Sequence, residues 1–475
     1  MRNDVKFSIV AVDPFERPVR LRLPFRFGAA TLREAPQVFV RARIGFPDGR
    51  SASGWAAEMM MPKWFDKSPL RSNAQNLDDL RRSVALAASA YAPQRSPRTA
   101  FGHTASHYRS ILTAGAAEGL NALVASFGAA LVDRAILDAV CCVLETSFAD
   151  AVRKNVPAID ATLAPDLRDF EFDTFLDTLV PASSIAARHT VGLLDPLTSA
   201  DVAERPDDLP FTLDEVIARY GHRHFKLKLS GSVAQDIERL TQVADVLDTL
   251  PQCAVTLDGN EQFENAPKVY DFWRAVEAEP RLARLSSATL YLEQPLPREL
   301  ALSTDVHELV RFKPLIIDES DATFDAFPLA RRLGYAGVSS KSCKGIYKSI
   351  VNAARCMSSM NAERAFITGE DLTAQAGLAL QQDLALVGLL GLAHVERNGH
   401  HYVDGFEGQR APADEQRAFQ DAHPDLYETS ARGTRLAIRR GMIALDSLAC
   451  VGFASGAVPA IESLAPMKTV AVPIS

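Results

Sequence analysis

Two lysines open the part of the chain that can do chemistry. Phe225-Lys226-Leu227-Lys228 places them at i and i+2, which on a strand point to one face. Single acids then recur at what read as strand ends: Asp258 in Leu257-Asp258-Gly259-Asn260-Glu261, Glu293 in Leu292-Glu293-Gln294-Pro295, and Asp318 in Ile317-Asp318-Glu319-Ser320. A further lysine, Lys341, follows in Ser339-Ser340-Lys341-Ser342-Cys343-Lys344-Gly345. The steps are 30 residues from Lys228 to Asp258, 35 to Glu293, 25 to Asp318 and 23 to Lys341. A strand, a helix and two loops consume about that much chain, so one functional residue arrives per βα unit. In a closed barrel of parallel strands they would all meet at one mouth.

Three carboxylates in register make a hard, all-oxygen site, which suits Mg2+, with Mn2+ as a substitute. A lone strand-end acid would only cap a helix or pair with a lysine; three of them flanked by lysines favour the metal. A lysine at its ordinary pKa of ~10.4 is a poor base. Lys226, Lys341 and a divalent ion near Lys228 would each disfavour its charged form. A lysine tuned to ~7–8 is a competent general base. Its natural task here is to remove a proton from the carbon next to a carboxylate, with the metal as Lewis acid stabilising the enediolate. Lys228 and Lys341 would stand on opposite walls of the mouth. A base on each face suits a racemase or epimerase; it equally serves a cycloisomerase, or a syn elimination with one lysine as base.

These residues need a frame. From Ile185 the sequence alternates strand and helix, with candidate strands at 185–194, 225–228, Leu257-Asp258, 289–293, 315–319, 337–341, 365–370 and 386–396. Eight such units predict a (β/α)8 barrel of α/β class. Thr212-Leu213-Asp214-Glu215 reads as a capping box opening one of its helices, and Gly221 as that helix's end. Residues 5–58 read as strands joined by tight turns such as Pro47-Asp48-Gly49-Arg50, and residues 77–150 as mostly helical. The expected division is an α+β capping domain over 1–180, the barrel over 181–405, and a segment over 406–475 that packs back on the cap, with a short hairpin from Arg435–Ile438 and Gly441–Leu445. Pro24-Phe25-Arg26-Phe27-Gly28 reads as an apolar loop, either simply packed or covering substrate. Asp133, Arg134 and Asp138 read as internal partners on a buried helix. His103 and His107 would share a helix face, but no nearby carboxylate completes a metal site.

Composition narrows the classes. The chain has 475 residues and a formal net charge of −8, which argues against nucleic acid as the main partner. No apolar run reaches ~18 residues, and the first residues lack an apolar signal core, so a cytoplasmic protein with no membrane span is expected. The six cysteines show no CxxC spacing and read as free thiols.

The lysine pair, Asp258-Gly259-Asn260, Glu293-Gln294-Pro295, Asp318-Glu319-Ser320 and Lys341, in this order, resemble the enolase superfamily, and more narrowly its muconate lactonizing enzyme-like subgroup within the mandelate racemase/muconate lactonizing enzyme family. Lys or His bases with Mg2+ are a known pairing in that superfamily. The resemblance covers most of the chain; the Asp48-Gly49 turn and Gly54-Trp55-Ala56-Ala57-Glu58 look like its capping domain. It implies Asp258, Glu293 and Asp318 as metal ligands, Lys228 and Lys341 as bases on the two faces, and Lys226 as the cation that neutralises the substrate carboxylate. It implies that the Phe25–Ala30 loop, with Phe25 and Arg26, and the region of Trp55 close over the substrate. It also makes a homo-oligomer the expected assembly. The seventh strand, Phe366-Ile367-Thr368-Gly369-Glu370-Asp371, lacks the histidine of mandelate racemase-like members, which disfavours their chemistry. Lys344-Gly345-Ile346 replaces the usual paired glycine after the sixth-strand lysine. The polar run from His394 to His401 reads either as a locally bonded loop or as substrate contact through His394, Glu396 or Arg397; Asn260, Glu319 and Glu370 are further substrate-binding candidates.

The expected activity is therefore a Mg2+-dependent proton abstraction from a small carboxylate by a racemase, epimerase or cycloisomerase. A hydroxy-acid (acid-sugar) dehydratase is the alternative among enzymes. A barrel that binds a carboxylate without turnover is the alternative of another class; it would need a cation but no paired base.

Overall fold

Alternating apolar residues over the first sixty positions build an antiparallel meander of three strands, Phe7–Phe27, Ala30–Gly45 and Ser51–Met59. The computed structural model describes residues 5–27, 30–202, 204, 205, 207–358 and 365–470. The stretch at Pro24–Phe27 is not a loop: Phe25 and Arg26 pair with Leu32 and Thr31, and this hairpin carries Phe25 inward. Gly28 and Ala29 lie outside the described residues.

The third strand lies on the helix Ala122–Val143, with helices Asn73–Tyr91 and Ala100–Ala117 beside it. Gly54 permits this approach, because a Cβ there would sit 2.2 Å from both the Ala135 carbonyl and the Ala139 nitrogen. Polar residues on the buried helix are internal partners. Asp133 accepts from Tyr91 and Thr104, Arg134 donates to Glu58, and Asp138 accepts from the Trp55 and Phe453 backbones. His103 bonds the Phe7 carbonyl, and His107 lies against Tyr91.

The barrel strands are Ser184–Val191, His224–Lys228, Ala254–Asp258, Thr289–Glu293, Leu315–Ile317, Gly337–Ser340, Phe366–Gly369 and His394–Glu396. Each pairs in parallel with the next, and the last pairs with the first, so the barrel closes. Alternation sets the faces: Phe225 and Leu227 enter the apolar layer under the helices, which sends Lys226 and Lys228 inward. Thr212 and Glu215 do form the capping box of helix Leu213–Tyr220, and Gly221 closes it at φ +72°.

Two further expectations fail. The apolar run at 386–390 is not the start of the eighth strand but the end of helix Leu378–Leu389. That helix is buried nearly all round, so it shows no apolar stripe, and such a run reads the same as a buried strand. The predicted tail hairpin is also displaced. Tyr427–Ser430 pairs with Gly433–Leu436, whereas Met442–Ala444 pairs antiparallel with the first barrel strand at Ser184–Ala186. Beyond it, Ala465–Pro466 pairs with Phe15 and Glu16 of the cap, and Arg17 donates two hydrogen bonds of 2.6–2.7 Å to Glu415. No helix among the described residues is long and apolar enough to cross a membrane.

Candidate active site

Lys226 is the hub of the barrel mouth. Its Nζ lies 2.7 Å from Glu293, 2.8 Å from Glu370, and 3.0 Å from both Asp258 and Glu396. Burial disfavours its charge, but these four acids outweigh burial and raise its pKa well above the ordinary value. Lys228 donates to Asp258 at 2.6 Å. Lys341 pairs with Asp318 and lies over the Trp64 ring, 4.3 Å from its centroid. Burial pushes the Lys341 pKa down, and Asp318, with help from Glu293 and Glu396, more than reverses it.

The three candidate metal ligands differ. Burial raises the pKa of Asp258, but Lys226 and Lys228 outweigh it and the net shift is downward. Asp318 is held well below the carboxylate range, because Lys341 and Lys344 outweigh burial. Glu293 goes the other way: burial and the charges of Asp258 and Glu370 raise its pKa well above normal, against the pull of Lys226. Neither Glu293 oxygen accepts a hydrogen bond, although both are buried; Lys226 is near but not aligned with either. A buried carboxylate with no aligned hydrogen bond, whose one cation Lys226 is shared with three other acids, fits a divalent cation. Asp258, Glu293 and Asp318 are an all-oxygen donor set of the kind Mg2+ takes.

Local backbone fixes these groups. The Gln294 carboxamide oxygen accepts from the Asp318 and Ser320 backbones, tying the fifth strand's end to the fourth. Asn260, Glu261, Gln294 and Thr373 all have left-handed backbone, with φ between 34° and 66°. For Glu, Gln and a β-branched Thr that conformation costs of order 1–3 kcal/mol each, and such strain gathers at functional sites.

Next to Lys226 lies a narrow pocket with a cavity volume of about 20 Å3, room for about one water. Lys226, Lys228, Lys341 and Glu396 line it from the barrel, Phe25, Met61 and Trp64 from the cap, and Asp371, Leu372, Thr373 and Asn398 from the loops after strands seven and eight. A wider hollow of about 560 Å3, lined by Arg20, Arg22, Arg33 and Arg432 among others, contains none of the barrel lysines or strand-end acids.

The remaining predicted residues divide. Phe25 reaches the pocket, but Arg26 is exposed and does not line it. Trp55 does not line it either; it packs against Phe15 and Arg41, in the apolar cluster that joins the meander to helix Leu378–Leu389 and the tail. His394 opens its strand and so sits at the opposite end from Glu396, bonded to Arg188 at 2.6 Å. Burial, then Arg188 and His224, lower its pKa to about 3. Glu370 is taken up by Arg188, Lys226, Tyr291 and Thr368. Glu319 accepts from Asn260 at 3.1 Å and Lys67 at 2.8 Å, beside the mouth.

Sequence reasoning missed Trp64, Lys67, Asp371, Thr373, Asn398 and Lys344. Lys344, on a 3-10 turn three residues after Lys341, donates to Asp318 at 3.1 Å, and that i+3 spacing was the available signal. Trp64 and Lys67 lie in an irregular loop whose course no periodicity reveals.

The barrel and its cap have the fold of the enolase superfamily. A 2-chloromuconate cycloisomerase from Rhodococcus opacus 1CP superposes with a TM-score of 0.59 at 16% identity, covering 96% of this chain and 98% of that one. A dipeptide epimerase from Enterococcus faecalis V583, complexed with Mg and L-Leu-L-Tyr, gives 0.59 at 13% identity over 94% and 99%. An enolase from Bradyrhizobium, complexed with magnesium and mandelic acid, gives 0.60 at 13% over 96% and 97%. In sequence, no family pattern and no curated protein matches the chain.

Proposed function

We propose that this protein is an enzyme that removes a proton from the carbon next to a carboxylate, as a racemase, epimerase or cycloisomerase of the enolase superfamily. The observation that carries this reading is that Lys228 and Lys341, from the second and sixth strands, line one narrow pocket with Lys226, whose single charge is shared among the buried carboxylates of Asp258, Glu293, Glu370 and Glu396. A carboxylate-binding barrel without turnover needs one cation, not two on separate walls.

Asp258, Glu293 and Asp318 would hold Mg2+, or Mn2+ in its place. When bound, the ion supplies positive charge that lowers the cost of a developing enediolate. Lys228 takes the α-proton, and Lys341 stands ready to return one from the other face. Lys226 stays protonated among its acids and serves the substrate carboxylate as a fixed cation. Phe25, Met61, Trp64 and Leu372 exclude water, which strengthens each of these charge interactions.

The test is α-proton exchange. The protein is incubated with Mg2+ in D2O and a pool of chiral carboxylates: amino-acid derivatives, dipeptides, hydroxy acids and acid sugars. Deuterium at the α-carbon that disappears with EDTA and with Lys228→Met is the expected result. Exchange with loss of chirality supports two bases; exchange with retention supports a single one. No exchange across the pool by protein that binds Mg2+ would overturn the reading in favour of a carboxylate binder.

A further inference from the structure

We propose that His189, His222 and His400 form a second metal site, for Zn2+ or a first-row ion of similar preference, on the outer wall of the barrel. Arg188 and Thr190 face inward, to Glu370 and Glu396, so His189 between them faces outward. His222 comes from the turn after helix Leu213–Tyr220, and His400 from the short helix Gly399–Tyr402 that follows the last strand. All three side chains are buried, and their ligand atoms lie within 4.8 Å of one another.

The hydrogen bonding leaves nitrogen lone pairs without a task. His222 Nδ1 lies 3.0 Å from the Ala187 carbonyl. A carbonyl only accepts, so Nδ1 carries the proton and Nε2 keeps its lone pair. That Nε2 has no partner, nor does His189 Nδ1. His400 makes no aligned hydrogen bond through either ring nitrogen, although the Arg397 backbone is close. A backbone carbonyl fixing one nitrogen while the other points at an ion is the usual second layer of a histidine metal site.

The ring centroids stand 5.3, 5.5 and 5.7 Å apart. Three imidazoles on a tetrahedral Zn2+ at Zn–N of ~2.0–2.1 Å have centroids about 5 Å apart, so closure by a few tenths of an ångström suffices. An all-nitrogen set selects Zn2+, Co2+, Ni2+ or Cu2+ over Mg2+. Nearby positive charge is partly spoken for: Arg22 pairs with Asp207, and Arg435 lies 3.9 Å from Asp404. The site would pin the first strand, the turn before the second and the segment after the eighth, which is the seam where His394 pairs with Ala186. The role inferred is structural.

The probe is Co2+, added to chelator-stripped, tag-free full-length protein in excess Mg2+. The expected result is one tightly held equivalent with the intense visible absorption of tetrahedral Co2+, displaced by Zn2+. The signal should persist in Asp258→Asn/Asp318→Asn, which disables the mouth. It should vanish in His400→Ala and in His222→Asn. The second variant is the safer one, because the Asn carboxamide can still donate to Ala187 while offering no Nε2. Circular dichroism checks that both variants remain folded. Absence of the tetrahedral band in the folded parent protein overturns the proposal. So does its survival in His222→Asn, or its loss in the mouth variant alone.

Discussion

Glu293→Gln should stabilise the protein in EDTA and abolish its response to Mg2+. Both Glu293 oxygens are buried without a hydrogen bond, and Asp258 and Glu370 stand close by. Burial and these two acids disfavour the charge on Glu293, and the carboxamide keeps the shape while removing that charge. Against this stands the 2.7 Å approach of Lys226, but that lysine keeps Asp258, Glu370 and Glu396 when Glu293 is neutral. The variant should therefore gain ~1–3 kcal/mol in EDTA, seen as a rise of a few degrees in Tm at a matched scan rate. Mg2+ at a hundred times its Kd should add ~2.7 kcal/mol to the wild type and nothing measurable to the variant. The pH dependence separates the two further. The folded protein holds the Glu293 proton to higher pH than the unfolded chain, whose value is near 4.5. Between those two values the folded state binds more protons, so wild-type stability in EDTA falls as pH rises above about 4.5 and levels off past the raised folded value. The variant should lose that part of the slope. A variant less stable than wild type in EDTA at neutral pH, or one that still gains from Mg2+, would refute the assignment of Glu293 as a ligand waiting for a cation.

Three further outcomes are expected. Trp64→Ala and Trp55→Ala, equally buried, should each cost ~3–5 kcal/mol of stability, but only Trp64→Ala should also lower turnover per folded molecule, at least tenfold; steady-state rates and urea melts on both variants decide this. Glu415→Gln leaves the buried Arg17 guanidinium with half its carboxylate and should destabilise by ~3–5 kcal/mol in chemical denaturation, with no effect on exchange per folded molecule. Gly54→Ala drives a methyl to 2.2 Å from two backbone atoms of the long cap helix and should cost ~1–3 kcal/mol or more, read from the same melts; a neutral result would mean that strand and helix can part freely.

The order of the barrel strands and the inward aim of Lys226 and Lys228 were legible because both follow from spacing and pleat. The cap's internal polar partners were legible too, since Asp133, Arg134 and Asp138 sit on an otherwise apolar helix. What failed did so for physical reasons. A helix buried on nearly all faces carries no stripe, so the end of Leu378–Leu389 read as the start of the eighth strand. A pocket roof made by an irregular loop has no period, so Trp55 stood in for Trp64. Sequence distance also misjudged His394, since a strand's two ends face different ends of a barrel, even though only Val395 separates it from Glu396.

On the proposed reading, the arrangement of charge in the mouth couples ion binding to the freeing of the bases. Asp258 is the partner of Lys228, and Asp318 the partner of Lys341. The same two acids are claimed as metal ligands and the same two lysines as bases, so neither lysine is available while it neutralises its acid. A divalent cation held by Asp258, Glu293 and Asp318 meets that demand for positive charge, and an ammonium relieved of a carboxylate and left beside further cations is a stronger acid than before. Lys226 is different: with Glu370 and Glu396 as additional partners from strands seven and eight, it stays charged whether or not the other acids are taken. Two acids beyond the metal set thus separate a permanent cation from two conditional ones, and this sorts the three lysines into one binder and two bases by their neighbours rather than by their type.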